Sequence, residues 1–234
     1  MKRISIVIPA LNEAGSIGRV VGEMPWDRIA ECIVVDNGST DGTGPTAAAA
    51  GARVIESPRG YGVACKTGSD AALASSDIVV FMDGDGSDII AGLDRLVGPI
   101  ERGERDFVIG SRLRGIRELG SMLPSQLFAN WLVGKLIWRM HRFRYTDMGP
   151  FRAIRRTSLE QLSMSEMTYG WNLEMQVKAC QHQLRIGEIA VDYRKRVAGD
   201  SKVSGNLLAS FRTAIKIFSV LFRAGLSHRP KRPR

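Results

Sequence analysis

The chain has 234 residues, 44% hydrophobic and 24% charged, which suits a folded domain with a sizeable core and excludes extensive disorder. Its net charge of +9 is uneven: eleven Lys/Arg against one acid lie between 194 and 234, so the rest of the chain is near neutral and any anionic partner is expected at the C-terminal end. No apolar run reaches the ~18 residues of a spanning helix, and the short apolar stretch after Met1 meets Asn12-Glu13 too soon for a signal peptide. Cys32, Cys65 and Cys180 form no CxxC pair, which argues against a disulfide framework and points to a reducing, cytoplasmic setting.

In chain order, ISIVI (4–8) reads as a buried strand ended by Pro9, and a helix is expected from about Ser16. CIVVD (32–36) is a second strand, closed by the turn-rich NGSTDGT, in which Thr40, Asp41 and Thr43 are candidate helix caps. ARVIES (52–57) is a third. A helix is expected from the Gly60–Gly62 turn to about Ala74, a fourth strand over 77–83, a helix over 92–102 and a fifth strand over 106–111. Strands alternating with helices predict an α/β fold with a mostly parallel, doubly wound sheet, and such sheets bind ligands at the carboxyl ends of their strands. Asn12, Glu13, Asp36, Asp83, Asp85 and Arg112 stand at those ends.

After Arg112 the alternation stops. SQLFANWLVGKLIWRM (125–140) is an apolar, aromatic-rich helix, YTDMGPFRAIRR (145–156) reads as a loop, a helix is expected over 171–183 and a strand over 184–193. A last helix is expected over 207–226, with apolar positions every three or four residues and Arg212, Lys216 and Arg223 on another stripe. HRPKRPR reads as a disordered basic tail.

The segment FMDGDGSD (81–88) runs from a strand into three carboxylates. Asp83 and Asp85 alternate along extended chain and can converge on a hard cation, and the glycines admit a substrate to the backbone. An EF-hand would need Gly and Glu where Asp88 and Asp94 stand. A DxDG phosphatase, with Asp83 as nucleophile and Asp85 as acid, would need a later acidic pair, and Glu188, Asp192 and Asp200 are widely spaced. A nucleotide-sugar site, with the cation on a diphosphate, is the third reading. GYGVACKT (60–67) is one residue from a Walker A loop, with Cys65 in place of the second glycine. Gly62 and Lys66 could still face a phosphate there.

IPALNEAGSI, VVDNGSTDGT, RGYGVACKTG, FMDGDGSD, VIGSR, DMGPFRAIRR and RVAGDSKVSG occur in this order. Together they resemble family 2 glycosyltransferases of the GT-A fold, most closely dolichyl- or polyprenyl-phosphate hexosyltransferases. The resemblance implies that Pro9, Leu11, Asn12, Glu13 and Asp36 hold the nucleotide, and that Asp83 and Asp85 hold Mg2+ or Mn2+ on the diphosphate. It implies Arg112 at an acceptor phosphate, and Arg194, Arg196 and Lys202 on the leaving group. Asp147, before the GPFR turn, becomes the candidate base or acceptor-orienting group, and Glu174 a second. Ser87 stands where the family's third metal ligand is usually Gln, and Asn37 where a second Asp is usual.

The expected organisation is a transferase domain over 1–205, with a nucleotide-sugar half (1–112) and an acceptor half (113–205), then an amphipathic helix (206–227) and a basic tail (228–234). The expected activity is inverting transfer of a hexose from a UDP- or GDP-sugar to a polyprenyl-type phosphate. The enzyme would sit peripherally on the inner membrane face, attached by the C-terminal helix, with 127–138 and its two tryptophans a candidate part of the same surface; the alternative is that the C-terminal helix packs on its own domain or in a homodimer. Nucleic acid is not an expected partner, because strand-end carboxylates would repel a phosphate backbone. A soluble acceptor, or a DxDG phosphatase, is the alternative.

Overall fold

The computed structural model describes residues 3–72 and 74–198. Lys202, the helix expected over 206–227 and the tail over 228–234 lie outside the described residues.

Seven strands form one sheet: β1 (Ile4–Ala10), β2 (Glu31–Asp36), β3 (Arg53–Glu56), β4 (Ile78–Phe81), β5 (Phe107–Ser111), β6 (Arg152–Arg155) and β7 (Ile186–Ala190), in the order β3-β2-β1-β4-β6-β5-β7. The pairs β1–β2, β2–β3, β1–β4 and β5–β7 are parallel, and β6 runs antiparallel between β4 and β5. Because side chains alternate along a strand, Ile4, Ile6 and Ile8 enter one core with α1 (Ala14–Gly22), α2 (Thr43–Ala49) and α4 (Leu93–Glu101). Val7, Ile33, Val35 and Phe81 enter the other, with α3 (Tyr61–Ala71), α5 (Pro124–His141), α6 (Arg156–Leu162) and α7 (Trp171–Gln181). A sheet covered on both faces explains why β2 and β4 read as near-continuous apolar runs. The predicted α/β, mostly parallel sheet is the one observed.

The 145–156 segment departs from the expected loop: it contains β6 and leads directly into α6. Its arginines hid the strand. Arg152 is fully buried, yet its guanidinium donates to the carbonyls of Gly149 and Asn172 and lies 5.9 Å from the Phe107 ring centroid. Internal partners make a buried cation tolerable, and no periodicity rule anticipates them. Among the described residues no helix is long and apolar enough to cross a membrane.

Candidate active site

A cleft of about 940 Å³ opens at the carboxyl ends of β1, β4 and β5, where Pro9, Leu11, Glu13, Asp83, Asp85 and Arg112 form much of its wall. The turn after β4 is built by Gly86, whose φ of +78° an L side chain rarely adopts. It brings Asp88 back so that its Oδ2 accepts from the Asp83 amide at 3.0 Å. Asp85 Oδ1 accepts from the Ser87 amide at 2.9 Å and hydroxyl at 2.6 Å. Asp83 Oδ1 accepts from the Tyr61 hydroxyl at 3.3 Å.

The 193–197 segment is laid across this turn by backbone hydrogen bonds from Arg194 N to Ser87 O (3.1 Å) and from Val197 N to Asp85 O (2.9 Å). That strap sets the direction of each base in RKR. Arg196 reaches Asp85 at 3.0 Å and Glu13 at 3.4 Å, inside the cleft. Lys195 lines the cleft too. Arg194 points elsewhere, onto the Glu23 carboxylate at 2.8 Å and the Gly86 carbonyl, so it is not brought to the site expected of it.

On the β5 side, Arg112 lines the cleft and donates two parallel bonds to Asp147, Nε to Oδ2 and Nη2 to Oδ1, both at 2.8 Å. The Tyr193 ring centroid lies 5.0 Å from its guanidinium carbon. Asp147 also accepts from the Arg112 amide, the Met148 amide and Asn130 Nδ2. Burial alone would raise its pKa, but the bonds and charge of Arg112 outweigh it and hold the carboxyl below its ordinary range. With its oxygens engaged by five donors, this carboxylate is a poor proton acceptor, and the geometry speaks against the base role expected of Asp147. Glu174 is buried on α7 and accepts from the amides of Ser165 and Glu166, away from the cleft.

Pro9, Leu11 and Glu13 line the cleft. Asn12, at φ +50°, braces the neighbouring loop, accepting from the Thr40 amide at 2.9 Å. Asp36 turns back to cap Ser39, and the adjacent Asn37 lines the cleft instead, its Oδ1 accepting from the Gly60 amide at 2.9 Å.

Gly62 and Lys66 are corrections. A Cβ on Gly62 would lie 2.2 Å from the Glu166 carbonyl, so this glycine permits α3 to pack against 166–167 rather than phosphate to approach. Lys66 pairs with Asp70 one turn on and lines a separate recess of about 340 Å³. Arg59, Tyr61, Asn172, Tyr193 and Lys195 line the cleft and were not anticipated. Arg59 and Tyr61, beside the Gly60–Gly62 turn, and Lys195, between Arg194 and Arg196, carried a usable signal.

The donor set suits a hard divalent cation. Partial burial, then the charges of Asp85 and Asp88, push Asp83 well above the ordinary carboxylate range, and burial raises Asp88 to about 7. Asp88 Oδ1 is buried without a hydrogen-bond partner. Crowded carboxylates of this kind call for positive charge. No group of three or more His, Cys, Asp or Glu side chains able to hold a metal occurs among the described residues. Two carboxylates are nevertheless enough for Mg2+-like ions that take their other ligands from water and substrate phosphates.

Comparison with known proteins bears on the same residues. The family model described as glycosyl transferase family 2 matches residues 5–163. The chain is 35% identical over 226 residues to a glycosyltransferase of Mycobacterium bovis, covering 93% of this chain and 97% of that protein. It is 30% identical over 224 residues to an undecaprenyl-phosphate mannosyltransferase of Micrococcus luteus, covering 88% and 89%. Glucosyl-3-phosphoglycerate synthase from Mycobacterium tuberculosis, solved with Mn2+ and UDP-glucose, superposes with a TM-score of 0.69 at 27% identity, covering 96% of this chain and 79% of that one. The same enzyme with phosphoglyceric acid gives 0.72 at 26%, covering 96% and 80%. The family match covers β1 to β6, including the strand ends that carry Glu13, Asp83, Asp85 and Arg112, and the chain belongs to glycosyl transferase family 2.

Proposed function

We propose that the enzyme moves a hexose from a UDP- or GDP-sugar to a phosphate-bearing acceptor, with inversion, and that the acceptor is a polyprenyl-type phosphate. The observation that carries this reading is the convergence of Asp83, Asp85, Arg196 and Arg112 on one cleft. Asp83 and Asp85 would hold the cation, which supplies positive charge to the donor diphosphate as it departs. Arg196, already on Asp85, and Lys195 add charge on the same side. Pro9, Leu11, Asn37 and Arg59 wall the end assigned to the nucleoside. Arg112, held in one orientation by Asp147, faces the acceptor phosphate. An ionised phosphate oxygen attacks the anomeric carbon while the bond to the diphosphate oxygen breaks, and no strong base is required.

A soluble phosphorylated acceptor is the second reading, favoured by the structural neighbour's complex with phosphoglyceric acid. The sequence similarity to the undecaprenyl-phosphate enzyme favours the lipid. The test is calorimetric titration of UDP and GDP with and without Mn2+, in the wild type and in Asp85→Asn. Metal-dependent binding that the substitution abolishes, together with loss of transfer, is expected. Wild-type transfer by Asp85→Asn would refute the metal assignment.

A further inference from the structure

Helix α5 packs inward through Asn130, Val133, Gly134 and Ile137. Its outer stripe, at alternating spacings of three and four, is Phe128, Trp131, Lys135, Trp138 and then Arg142, and all five are exposed. Phe128 is 62% exposed and Trp131 55%. The loop before the helix adds Ile116 at 80% and Leu119 at 92%. Lone exposed apolar side chains are ordinary, but a contiguous stripe of large ones marks an interaction surface. The cations on it are arranged around the rings: Lys135 Nζ lies 4.7 Å from the Trp131 centroid, and the Arg142 guanidinium carbon 5.8 Å from that of Trp138. From Ile116 to Thr146 the chain carries Arg117, Lys135, Arg139, Arg142 and Arg144 against a single acid, Glu118, whose carboxylate lies 3.7 Å from Lys195 Nζ.

We infer that this face docks on the surface of an anionic lipid bilayer, with the rings of α5 and the 116–119 loop at headgroup level and the cations among the phosphates. Amphipathic aromatic side chains flanked by Lys and Arg are the residues that settle at a membrane interface. Charge decides among the possible occupants. A second copy docked on itself would bring like cations together. The segment 199–234 carries eight Lys/Arg against Asp200 alone, so it cannot neutralise the face either. An anionic surface can.

The face is also continuous with the cleft, whose mouth is lined by Gly120, Ser121, Leu123 and Gln126. An acceptor phosphate could therefore enter from the headgroup layer while its hydrocarbon stays in the bilayer. This purpose, though not the docking itself, rests on the transferase reading. On its inner side the same helix presents Asn130 to Asp147, 2.7 Å away, which ties the docking element to the arginine of the site.

The experiment is flotation of the full chain with phosphatidylcholine vesicles, with and without phosphatidylglycerol, while metal-dependent nucleotide binding is measured on the same samples. The chain is expected to float with the anionic vesicles at low salt and to be released by high salt. Trp131→Ser/Trp138→Ser and Lys135→Gln/Arg142→Gln should each lower the partition coefficient roughly tenfold or more. Leu119→Ser, on the loop and clear of helix packing, should lower it several-fold even if the helix variants fold poorly. Nucleotide binding should persist in all three. A chain that stays off anionic vesicles at low salt overturns the inference. So do variants that all float like the wild type, which would assign binding to 199–234, and so does a solution dimer that the tryptophan substitutions dissociate. Flotation without nucleotide binding would sustain the docking face and refute the transferase reading; the converse would do the reverse.

Discussion

Replacing Asp147 by Asn keeps the shape of the side chain and removes its charge. In the native structure the carboxylate is buried and accepts five hydrogen bonds, three of them from Arg112. The amide would neutralise nothing and would turn one acceptor into a donor aimed at other donors. Breaking a buried ion pair from one side costs about 3–5 kcal/mol, because the remaining charge stays buried without its partner. The loss should therefore be of that size in urea denaturation at pH 7. The pH dependence gives an independent check. Asp147 has a depressed pKa in the folded state, so its contribution is complete above the unfolded value of about 3.9 and is lost as pH falls through the lower folded value. The gap between wild type and Asp147→Asn should hold from neutral pH down to about 4 and close below it. Arg112→Met/Asp147→Leu, which removes both charges, should cost less than Asp147→Asn alone. If Asp147→Asn melted within about 1 kcal/mol of wild type at pH 7 yet lost transfer activity, the orienting role would be wrong and a direct chemical role would return.

Three further outcomes follow from the geometry. Gly62→Ala should destabilise the protein by about 1–3 kcal/mol in chemical denaturation, since the obstruction is the backbone of Glu166 and Met167 and cannot swing away. Lys66→Ala should leave nucleotide affinity within about twofold of wild type, because its exposed pair with Asp70 is worth little and does not face the cleft; a large loss would return Lys66 to the phosphate site. Asp106, held by Arg185 at 2.7 Å and Arg155 at 3.4 Å, has its pKa lowered to about 2, chiefly by the Arg185 hydrogen bonds. Asp106→Asn should cost roughly 1–2 kcal/mol at neutral pH after solvent screening, and that cost should vanish between about pH 4 and pH 2, read by melting temperature across a pH series.

Much of the cleft wall at the ends of β1, β4 and β5 was legible in the sequence. The strands ISIVI, CIVVD and DIVVFMD are short apolar runs closed by turn residues, and local chemistry alone decides where such runs end. Because the sheet is parallel, the residues following those runs share one edge, which is how Glu13, Asp83, Asp85 and Arg112 could be grouped from their order along the chain. The side of the cleft beyond Arg112 was less legible. It depends on β6, an internal strand whose buried Arg152 reads as solvated, and on helix α5, whose composition alone does not say that Asn130 turns inward to Asp147 while the aromatic stripe faces outward.

What the sequence by itself determined is the list of chemical groups and their placement at strand ends. What only the tertiary structure decided is where each group points. Arg194 and Arg196 differ by two positions, yet one reaches Glu23 and the other Asp85, because backbone hydrogen bonds to Asp85 and Ser87 set the register of the strap that carries them. Asp36 left its expected place for a similar reason: it satisfies the turn at Ser39, and Asn37 is left at the cleft wall. Lys66 found a partner one helical turn away, and Asp147 found one 35 residues back. Short-range periodicity predicts which face an element presents, but long-range pairing of charges is settled only when the elements pack, since a carboxylate takes whichever cation burial brings to it.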